Sequence, residues 1–211
     1  MNLGPDKAHI FRIVHRDNLP WILHNGIHCR SSELVDPNYV DIGNPDLIDR
    51  RSGKAVPVEP GGTLSDYVPF YFTPRSPMLL NIKTGYGGIR QRANEEILIL
   101  VSSLYKVRDY PLPFLFTDRH AYVQTAIFHN DLSQLPVIDW EILCRSDFKR
   151  DNNDLGKFER YQAEALVQRR VPVAALLGIA CSSEAAAGQV HAQLAAADVA
   201  LEVAVTPGWY F

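Results

Sequence analysis

The chain has 211 residues, of which 46% are hydrophobic and 21% are charged, and its formal net charge is −3. This composition excludes general disorder, and the slight negative charge excludes a protein that coats nucleic acid by bulk electrostatics. The length is within the range of one large domain, so we expect residues 1–211 to form a single domain.

The three cysteines, Cys29, Cys144 and Cys181, are odd in number and far apart. They lack the short paired spacing of a structural zinc site. The first residues lack the apolar core of a signal peptide, and no stretch approaches the roughly 18 apolar residues of a membrane span. We therefore predict a cytoplasmic protein with free thiols, no bound metal and no contact with a membrane.

The chain begins with a predicted strand and helix. Residues 9–15 are dominated by β-formers and predict a strand. Residues 19–25 predict a helix, because Asp17 or Asn18 can cap its start and Gly26 suits the left-handed position at its end.

A long irregular segment follows over residues 31–64, which are rich in proline, glycine, aspartate and asparagine. We expect at most one helical turn in it, near residues 45–50. The segment carries Arg50 and Arg51, and a guanidinium on a loop can hold a pyrophosphate through two hydrogen bonds. The alternative is that both arginines are solvated on the surface and hold no ligand.

The stretch from Tyr67 to Asn94 contains no acidic residue. Residues 68–73 predict an aromatic strand, and Ser76 followed by proline predicts the start of a helix. Cations and rings alternate along the stretch: Arg75, Lys83, Arg90 and Arg92 with Tyr67, Phe70, Tyr71, Phe72 and Tyr86. Such a surface binds single-stranded nucleic acid, with cations on phosphates and rings on bases. The alternative places most of the rings in the core.

The remaining elements are short. We predict strands over residues 96–101, near 114–117 and 174–180, and over 201–205, and helices over 121–128, with Asp118 as its cap, and over 183–196. Short strands without βαβ repetition favour an α+β fold with a mixed or antiparallel sheet.

Glu164 stands between a polar loop at residues 147–156 and an apolar strand beginning at residue 165. Such a carboxylate either only marks the end of a strand or takes part in the chemistry of a site. Placed against a ribose, it can stabilise an oxocarbenium-like transition state while cations hold a pyrophosphate, which is the chemistry of nicotinamide release from NAD. Glu159 is a second acid, but on an extended chain it points away from Glu164.

Four segments together resemble the DarT family of DNA ADP-ribosyltransferase toxins, and the resemblance spans nearly the whole chain. The segments are Phe-Arg-Ile-Val-His-Arg-Asp-Asn-Leu-Pro from residue 11, Asp-Tyr-Val-Pro-Phe-Tyr-Phe-Thr-Pro-Arg-Ser-Pro-Met from residue 66, Arg-Tyr-Gln-Ala-Glu-Ala-Leu-Val from residue 160, and the final Trp-Tyr-Phe.

The resemblance implies a PARP-like ADP-ribosyltransferase fold that transfers ADP-ribose from NAD to a base of single-stranded DNA. We expect thymine first and guanine second. It also implies a macrodomain antitoxin as partner, and we expect a monomer. Glu164 matches the catalytic glutamate of the family and Arg51 the arginine that assists catalysis. Residues 34–52 match the NAD-binding element, and the polar loop before Glu164 matches the substrate-recognition loop.

Further site residues are expected on the same basis. Many relatives carry His-x-Thr on the first strand where this chain has Arg12 and Val14, so we expect NAD contacts from Arg12, Val14 or His15. Tyr71 is expected to contact the nicotinamide or a base. For DNA phosphates we expect Arg75 and Arg92 as ligands. A protein- or RNA-directed transferase, an NAD hydrolase and a non-catalytic single-strand-binding module are the alternatives.

Overall fold

The computed structural model describes residues 3–211, so the first two residues of the predicted domain, Met1 and Asn2, lie outside the described residues. Over residues 3–211 the strands are β1 His9–His15, β2 Ile27–His28, β3 Tyr67–Tyr71, β4 Ile97–Ser103, β5 Phe114–Thr117, β6 Phe128–His129, β7 Glu164–Gln168, β8 Arg170–Val171, β9 Gly178–Cys181 and β10 Glu202–Val205. The helices are α1 Leu19–Asn25, α2 Pro45–Ser52, α3 Pro77–Thr84, α4 Leu104–Arg108, α5 Trp140–Arg145, α6 Lys157–Arg160 and α7 Glu184–Ala196.

Eight strands form one mixed sheet in the order β10-β9-β4-β1-β3-β7-β5-β6, and β2 and β8 form a separate pair in the described chain. Neighbouring strands of the large sheet run antiparallel, except that β9 and β10 run parallel. The helices flank this sheet, so the predicted α+β class with a mixed or antiparallel sheet is confirmed.

The sheet narrows where β1 meets β3, and we call this junction the neck. β1 pairs with β4 over its full length, from His9 to His15, whereas its only register pair with β3 joins Phe11 to Tyr71. Tyr71 in turn lies opposite Glu164 on β7. The neck therefore places the predicted catalytic glutamate two strands from β1, where the two halves of the sheet meet.

Several predicted local signals are confirmed. Gly26 ends α1 with a positive φ of +82, although its ψ of −174 is extended and not the predicted left-handed helical conformation. Ser76 caps α3 by accepting a hydrogen bond from the amide of Leu79 at 3.2 Å. The predicted side-chain cap of α1 is wrong. The amide side chain of Asn18 makes no hydrogen bond to the helix; it exchanges two hydrogen bonds with the backbone of Val40 instead, at 3.0 and 2.8 Å. Asn18 thereby ties the long irregular segment to the start of α1.

The predicted helix over residues 121–128 is wrong. Asp118 does not cap a helix there; its carboxylate accepts from the amide of Ile127 at 2.9 Å and so closes a loop. Phe128 then pairs with Thr117 in the large sheet. This pairing removes the segment from helical geometry, since β-sheet partners outside the segment supply its hydrogen bonds.

The length and apolar composition that a helix needs to cross a bilayer are not found in any helix of residues 3–211.

The buried Tyr210 generates a prediction about stability. Its hydroxyl donates to the carbonyl of Ala180 on β9 at 2.8 Å and lies 3.1 Å from the carbonyl of Ile97 on β4. Tyr210→Phe should lower the free energy of unfolding by about 1–2 kcal/mol, because it leaves a buried carbonyl with one partner fewer. Urea denaturation measures the change. Tyr105→Phe, which removes the hydroxyl of a partly buried tyrosine, should have a smaller effect, and equal effects would contradict the assignment.

Candidate active site

Glu164 is the first residue of β7 and is buried, with 3% of its surface exposed. Its amide donates to the hydroxyl of Thr117 at 3.2 Å, and its Oε1 accepts from the amide of Ala121 at 3.0 Å. The next three residues of β7 are fully buried apolar side chains, which fix the backbone of the glutamate. Glu164 is therefore held by the sheet on one side and by the turn after β5 on the other.

Arg51 lies in the last turn of α2 and reaches Glu164 with both terminal nitrogens. Nη1 donates to Oε1 at 3.0 Å and Nη2 donates to Oε2 at 2.7 Å. The side chains of Arg51 and Glu164 are only 14% and 4% exposed. Asn44 starts α2 by accepting from the amide of Leu47 at 3.2 Å. A short helix on a long irregular segment thus delivers a cation to a carboxylate 113 residues away.

Both members of this pair are ionised. Burial alone would raise the pKa of Glu164, but the charge and hydrogen bonds of Arg51 and the amide of Ala121 outweigh it and hold the pKa below its usual value. Burial likewise opposes the charge of Arg51, and Glu164 outweighs it and raises the pKa of the guanidinium. Glu164 is therefore a hydrogen-bond acceptor at neutral pH.

His120 lies beside Glu164, with Nδ1 3.9 Å from Oε1. Burial is the main cause that lowers the pKa of His120, so the ring is neutral at neutral pH. Its Nδ1 accepts from the amide of Tyr122 at 3.2 Å, which leaves the proton on Nε2. His120 is therefore a neutral ring beside the carboxylate.

Tyr71 is the strand partner of Glu164, and its hydroxyl lies 3.9 Å from the sulfur of Met78 on α3. Burial is the main cause that raises the pKa of Tyr71, and Glu164 adds to it. The hydroxyl is therefore protonated and can donate.

A cleft of about 460 Å³ opens next to Arg51. Its lining combines cations with aromatic rings, among them Arg12, Trp21, His28, Arg51 and Tyr67. Nη1 of Arg12 donates to the carbonyl of Pro69 on β3 at 2.9 Å, and its Nε is buried with no partner among the described residues. The volume lies within the range of ligand-binding clefts, about 300–1,000 Å³.

Two other predicted NAD contacts lie elsewhere. Val14 is 1% exposed and pairs with Leu98 within the sheet. Nδ1 of His15 accepts from the amide of Asp17 at 3.2 Å, and its Nε2 lies 3.5 Å from Oε1 of Glu96. Among residues 3–211, the lining of the cleft includes Arg12 but neither Val14 nor His15.

The two predicted DNA-binding arginines already have internal contacts. Arg75 donates to the carbonyl of Gly208 at 3.0 Å and lies 4.4 Å over the ring of Phe211. Arg92 is 10% exposed and donates to Glu96 at 3.1 Å. In the described structure neither arginine joins the cleft beside Arg51.

The polar loop before Glu164 is ordered by ion pairs. Lys157 contacts Asp147 at 3.0 Å, and Arg160 binds both oxygens of Asp154 at 2.9 and 2.6 Å. The end of the loop forms α6, so the extended geometry assumed for Glu159 is wrong. The backbone carbonyl of Glu159 accepts from the amide of His120 at 2.9 Å. The loop is thus joined to the turn that holds Glu164.

Comparison with known proteins identifies the family. The family model described as "ssDNA thymidine ADP-ribosyltransferase, DarT" matches residues 11–211. The chain belongs to the DarT family. The DNA ADP-ribosyl transferase of Escherichia coli O127:H6 is 53% identical over 210 residues, which cover 100% of this chain and 96% of that protein.

Solved structures agree with this assignment. Thermus sp. 2.9 DarT in complex with ADP-ribosylated single-stranded DNA matches with a TM-score of 0.91 at 34% identity, covering 100% of this chain and 99% of that one. The same protein in complex with NAD+ matches with a TM-score of 0.85 at 34% identity, covering 98% and 99%. The predicted family, the ADP-ribosyltransferase fold and the enzyme class are confirmed.

In this DarT family member, the predictions from sequence missed three groups around the glutamate, namely Thr117, His120 and the amide of Ala121. The polar residues at the end of β5 and directly after it, Thr117 to His120, were the signal in the sequence for these groups. Within residues 3–211 no group of three or more His, Cys, Asp or Glu side chains is placed to hold a metal ion.

The ion pair predicts how stability depends on pH. Because the pKa of Glu164 is lowered by folding, its ionisation stabilises the protein above the ordinary glutamate pKa of about 4.3 and ceases to do so as pH falls through the folded-state pKa. Glu164→Gln should lower the free energy of unfolding by on the order of 3 kcal/mol at pH 7, because it leaves the buried charge of Arg51 unpaired.

The difference in unfolding free energy between wild type and Glu164→Gln should shrink as pH is lowered through that folded-state pKa, since protonated Glu164 also lacks a charge. Urea titrations of both proteins over a pH series measure it. A difference that does not change with pH would contradict a stabilising ion pair.

Thr117 is expected to position Glu164. Its hydroxyl accepts from the amide of Glu164 and donates to the carbonyl of Arg119 at 2.6 Å. Thr117→Val should reduce kcat on the order of 10- to 100-fold through misplacement of the carboxylate, whereas Thr117→Ser should retain most of it.

Ser102→Ala is the matched control, because Ser102 carries another fully buried hydroxyl, which donates to the carbonyl of Ala175 at 2.6 Å. It should lower stability about as much as Thr117→Val and leave kcat unchanged. Equal losses of kcat in the two variants would assign Thr117 to stability alone.

Proposed function

We propose that Glu164 and Arg51 are the catalytic residues with which this protein transfers ADP-ribose from NAD to thymine in single-stranded DNA. The observation that carries the proposal is the buried bidentate pair of Arg51 and Glu164 at the edge of a cleft lined by cations and rings. The acceptor base follows the family, whose description names thymidine. The activity is proposed to reside in one domain over residues 1–211.

Glu164 would hold the nicotinamide ribose. Among residues 3–211, its Oε2 accepts only from Arg51, while Oε1 also accepts from Ala121. A carboxylate has about four lone-pair sites, so Oε2 can accept a further hydrogen bond from a ribose hydroxyl. Its negative charge then stabilises the positive charge that develops on the ribose as nicotinamide leaves.

The bond changes are a displacement at the anomeric carbon. The bond between that carbon and the nicotinamide nitrogen breaks, and its electron pair neutralises the pyridinium, so that nicotinamide departs uncharged. A ring nitrogen of thymine forms the new bond, and the proton of that nitrogen passes to solvent. Arg51 remains a cation throughout and keeps the carboxylate of Glu164 in position.

The cleft residues fit NAD. The buried, unpartnered Nε of Arg12 marks a donor available to a ligand, and Arg51 supplies a second cation near the pyrophosphate. The ring of Trp21 supplies an apolar wall for a base, and Tyr71, opposite Glu164 in the sheet, would contact the nicotinamide or a base.

A single strand suits the reaction better than a duplex. The pairing-edge nitrogen of thymine is hydrogen-bonded in a duplex, and extruding the base costs a few kcal/mol. An unpaired thymine exposes that nitrogen without this cost. DNA single strands are therefore the proposed substrate.

We further propose a cytoplasmic monomer controlled by a macrodomain antitoxin that removes the modification. The three free cysteines support a reducing compartment. The antitoxin follows from the family resemblance.

Intact mass spectrometry of an oligonucleotide tests the proposal. Wild-type protein with NAD should add the mass of one ADP-ribose to a single strand containing one thymine, and should leave a thymine-free strand unchanged. Glu164→Gln should reduce the rate by at least about 100-fold, since it removes the charge that stabilises the transition state.

Glu202→Gln is the control, because it removes an exposed carboxylate on β10 and should react at the wild-type rate. NAD turnover without an oligonucleotide adduct would point to protein, RNA or water as acceptor. DNA binding without NAD turnover in the wild type would point to a non-catalytic binding module.

A further inference from the structure

The acid-free stretch between Tyr67 and Asn94 separates into two parts in the structure. Tyr67, Phe70 and Phe72 are at most 1% exposed and belong to the core. Tyr86 is 73% exposed and is the most exposed aromatic side chain of residues 3–211. An aromatic ring open to solvent in a segment without acidic residues is suited to contact a nucleic acid base.

The loop that carries Tyr86 is fixed to α3 at both ends. Gly85 ends α3 in the left-handed conformation, with φ +73. After the loop, the side chain of Gln91 donates to the carbonyl of Lys83 at 2.9 Å, and the amide of Arg92 donates to the carbonyl of Ile82 at 3.1 Å. The position of Tyr86 is therefore defined relative to α3.

Helix α3 leads from this loop to the active site. Met78 in its first turn contacts the hydroxyl of Tyr71, the strand partner of Glu164. α3 ends at Thr84, roughly 9 Å from Met78 at 1.5 Å per helical residue, and Tyr86 follows two residues later. A stacked strand advances about 3.4 Å per nucleotide, so this distance corresponds to about three nucleotides.

A cation accompanies the ring. Arg90 lies on the same loop and is exposed, whereas Arg75 and Arg92 make the internal contacts described above. An exposed ring and an exposed guanidinium on one loop can provide one base-stacking and one phosphate contact.

We propose that Tyr86 stacks on a DNA base about three nucleotides from the modified thymine, and that Arg90 binds a neighbouring phosphate. The inference rests on the proposed function and names the part of the protein that holds the strand outside the catalytic cleft.

Abasic scanning tests the inference. Each flanking nucleotide of a single-thymine oligonucleotide is replaced in turn by an abasic residue, and kcat and KM are measured for wild type, Tyr86→Ala, Tyr86→Trp and Leu177→Ala. In wild type, an abasic residue at one flanking position should raise KM for the oligonucleotide about tenfold, because it removes the base that stacks on Tyr86. Tyr86→Ala should raise KM for the intact oligonucleotide by a similar factor and leave kcat and KM for NAD unchanged. In this variant an abasic residue at that one position should no longer change KM, whereas abasic residues at the other positions should act as they do in wild type.

Tyr86→Trp should retain the sensitivity, and Leu177→Ala, which trims an exposed side chain elsewhere, should behave as wild type. Loss of the positional sensitivity is a readout that a folding defect would not produce. If Tyr86→Ala keeps the wild-type KM and the same abasic profile while wild type forms the adduct, the inference is wrong and the proposed function stands.

Binding without NAD provides an independent arm. Fluorescence anisotropy of a labelled single strand should show weaker binding by Tyr86→Ala, and for Arg90→Ala a slope of log affinity against log salt that is smaller by about 0.7. If wild type forms no adduct, the proposed function fails, and this arm still decides whether Tyr86 and Arg90 bind single strands. Unchanged affinity and slope would overturn the inference.

Discussion

The buried pair of Arg51 and Glu164 is the interaction on which the site depends. Two charges removed from water are stable only with good geometry and with their remaining hydrogen bonds satisfied. Here both terminal nitrogens of the guanidinium donate to the two oxygens of the carboxylate. Since the apolar side chains of α2, Leu47 and Ile48, are only partly buried, the pair is also a fixed contact between α2 and the sheet. One interaction therefore fixes the position of the carboxylate and holds the adjoining wall of the cleft.

The pair is supported from the opposite side by the turn after β5. Thr117 binds the amide of Glu164, and Ala121 donates to its carboxylate, so the backbone and the side chain of one residue are both held. His120 comes from the same turn and stays neutral, so it adds no competing positive charge. The site is therefore assembled from α2, β7 and this turn, which are distant in sequence.

What could be predicted from the sequence was mostly local. The strand at residues 9–15 follows from its run of β-formers, and Glu164 stands out because an acid precedes an apolar strand. The helix predicted over residues 121–128 failed because the partners of that segment lie on β5. Arg75 bonds to a residue 133 positions away, and His120 lies beside Glu164, 44 positions away. Neither contact can be inferred from the spacing of residues in the sequence. The family resemblance supplied Arg51, whose pairing with Glu164 no local pattern indicates.

The neck has a consequence for motion. Hydrogen bonds of the sheet are dense within each half, but across the neck they reduce to the register pair of Phe11 and Tyr71 and the side-chain bond from Arg12 to Pro69. Regions joined by few bonds open as separate cooperative units in native-state hydrogen exchange. Arg12 lies on one side of the neck and Glu164 on the other, while one buried core packs against both sides. The ladder amides at the neck should therefore exchange with solvent sooner than those between β1 and β4.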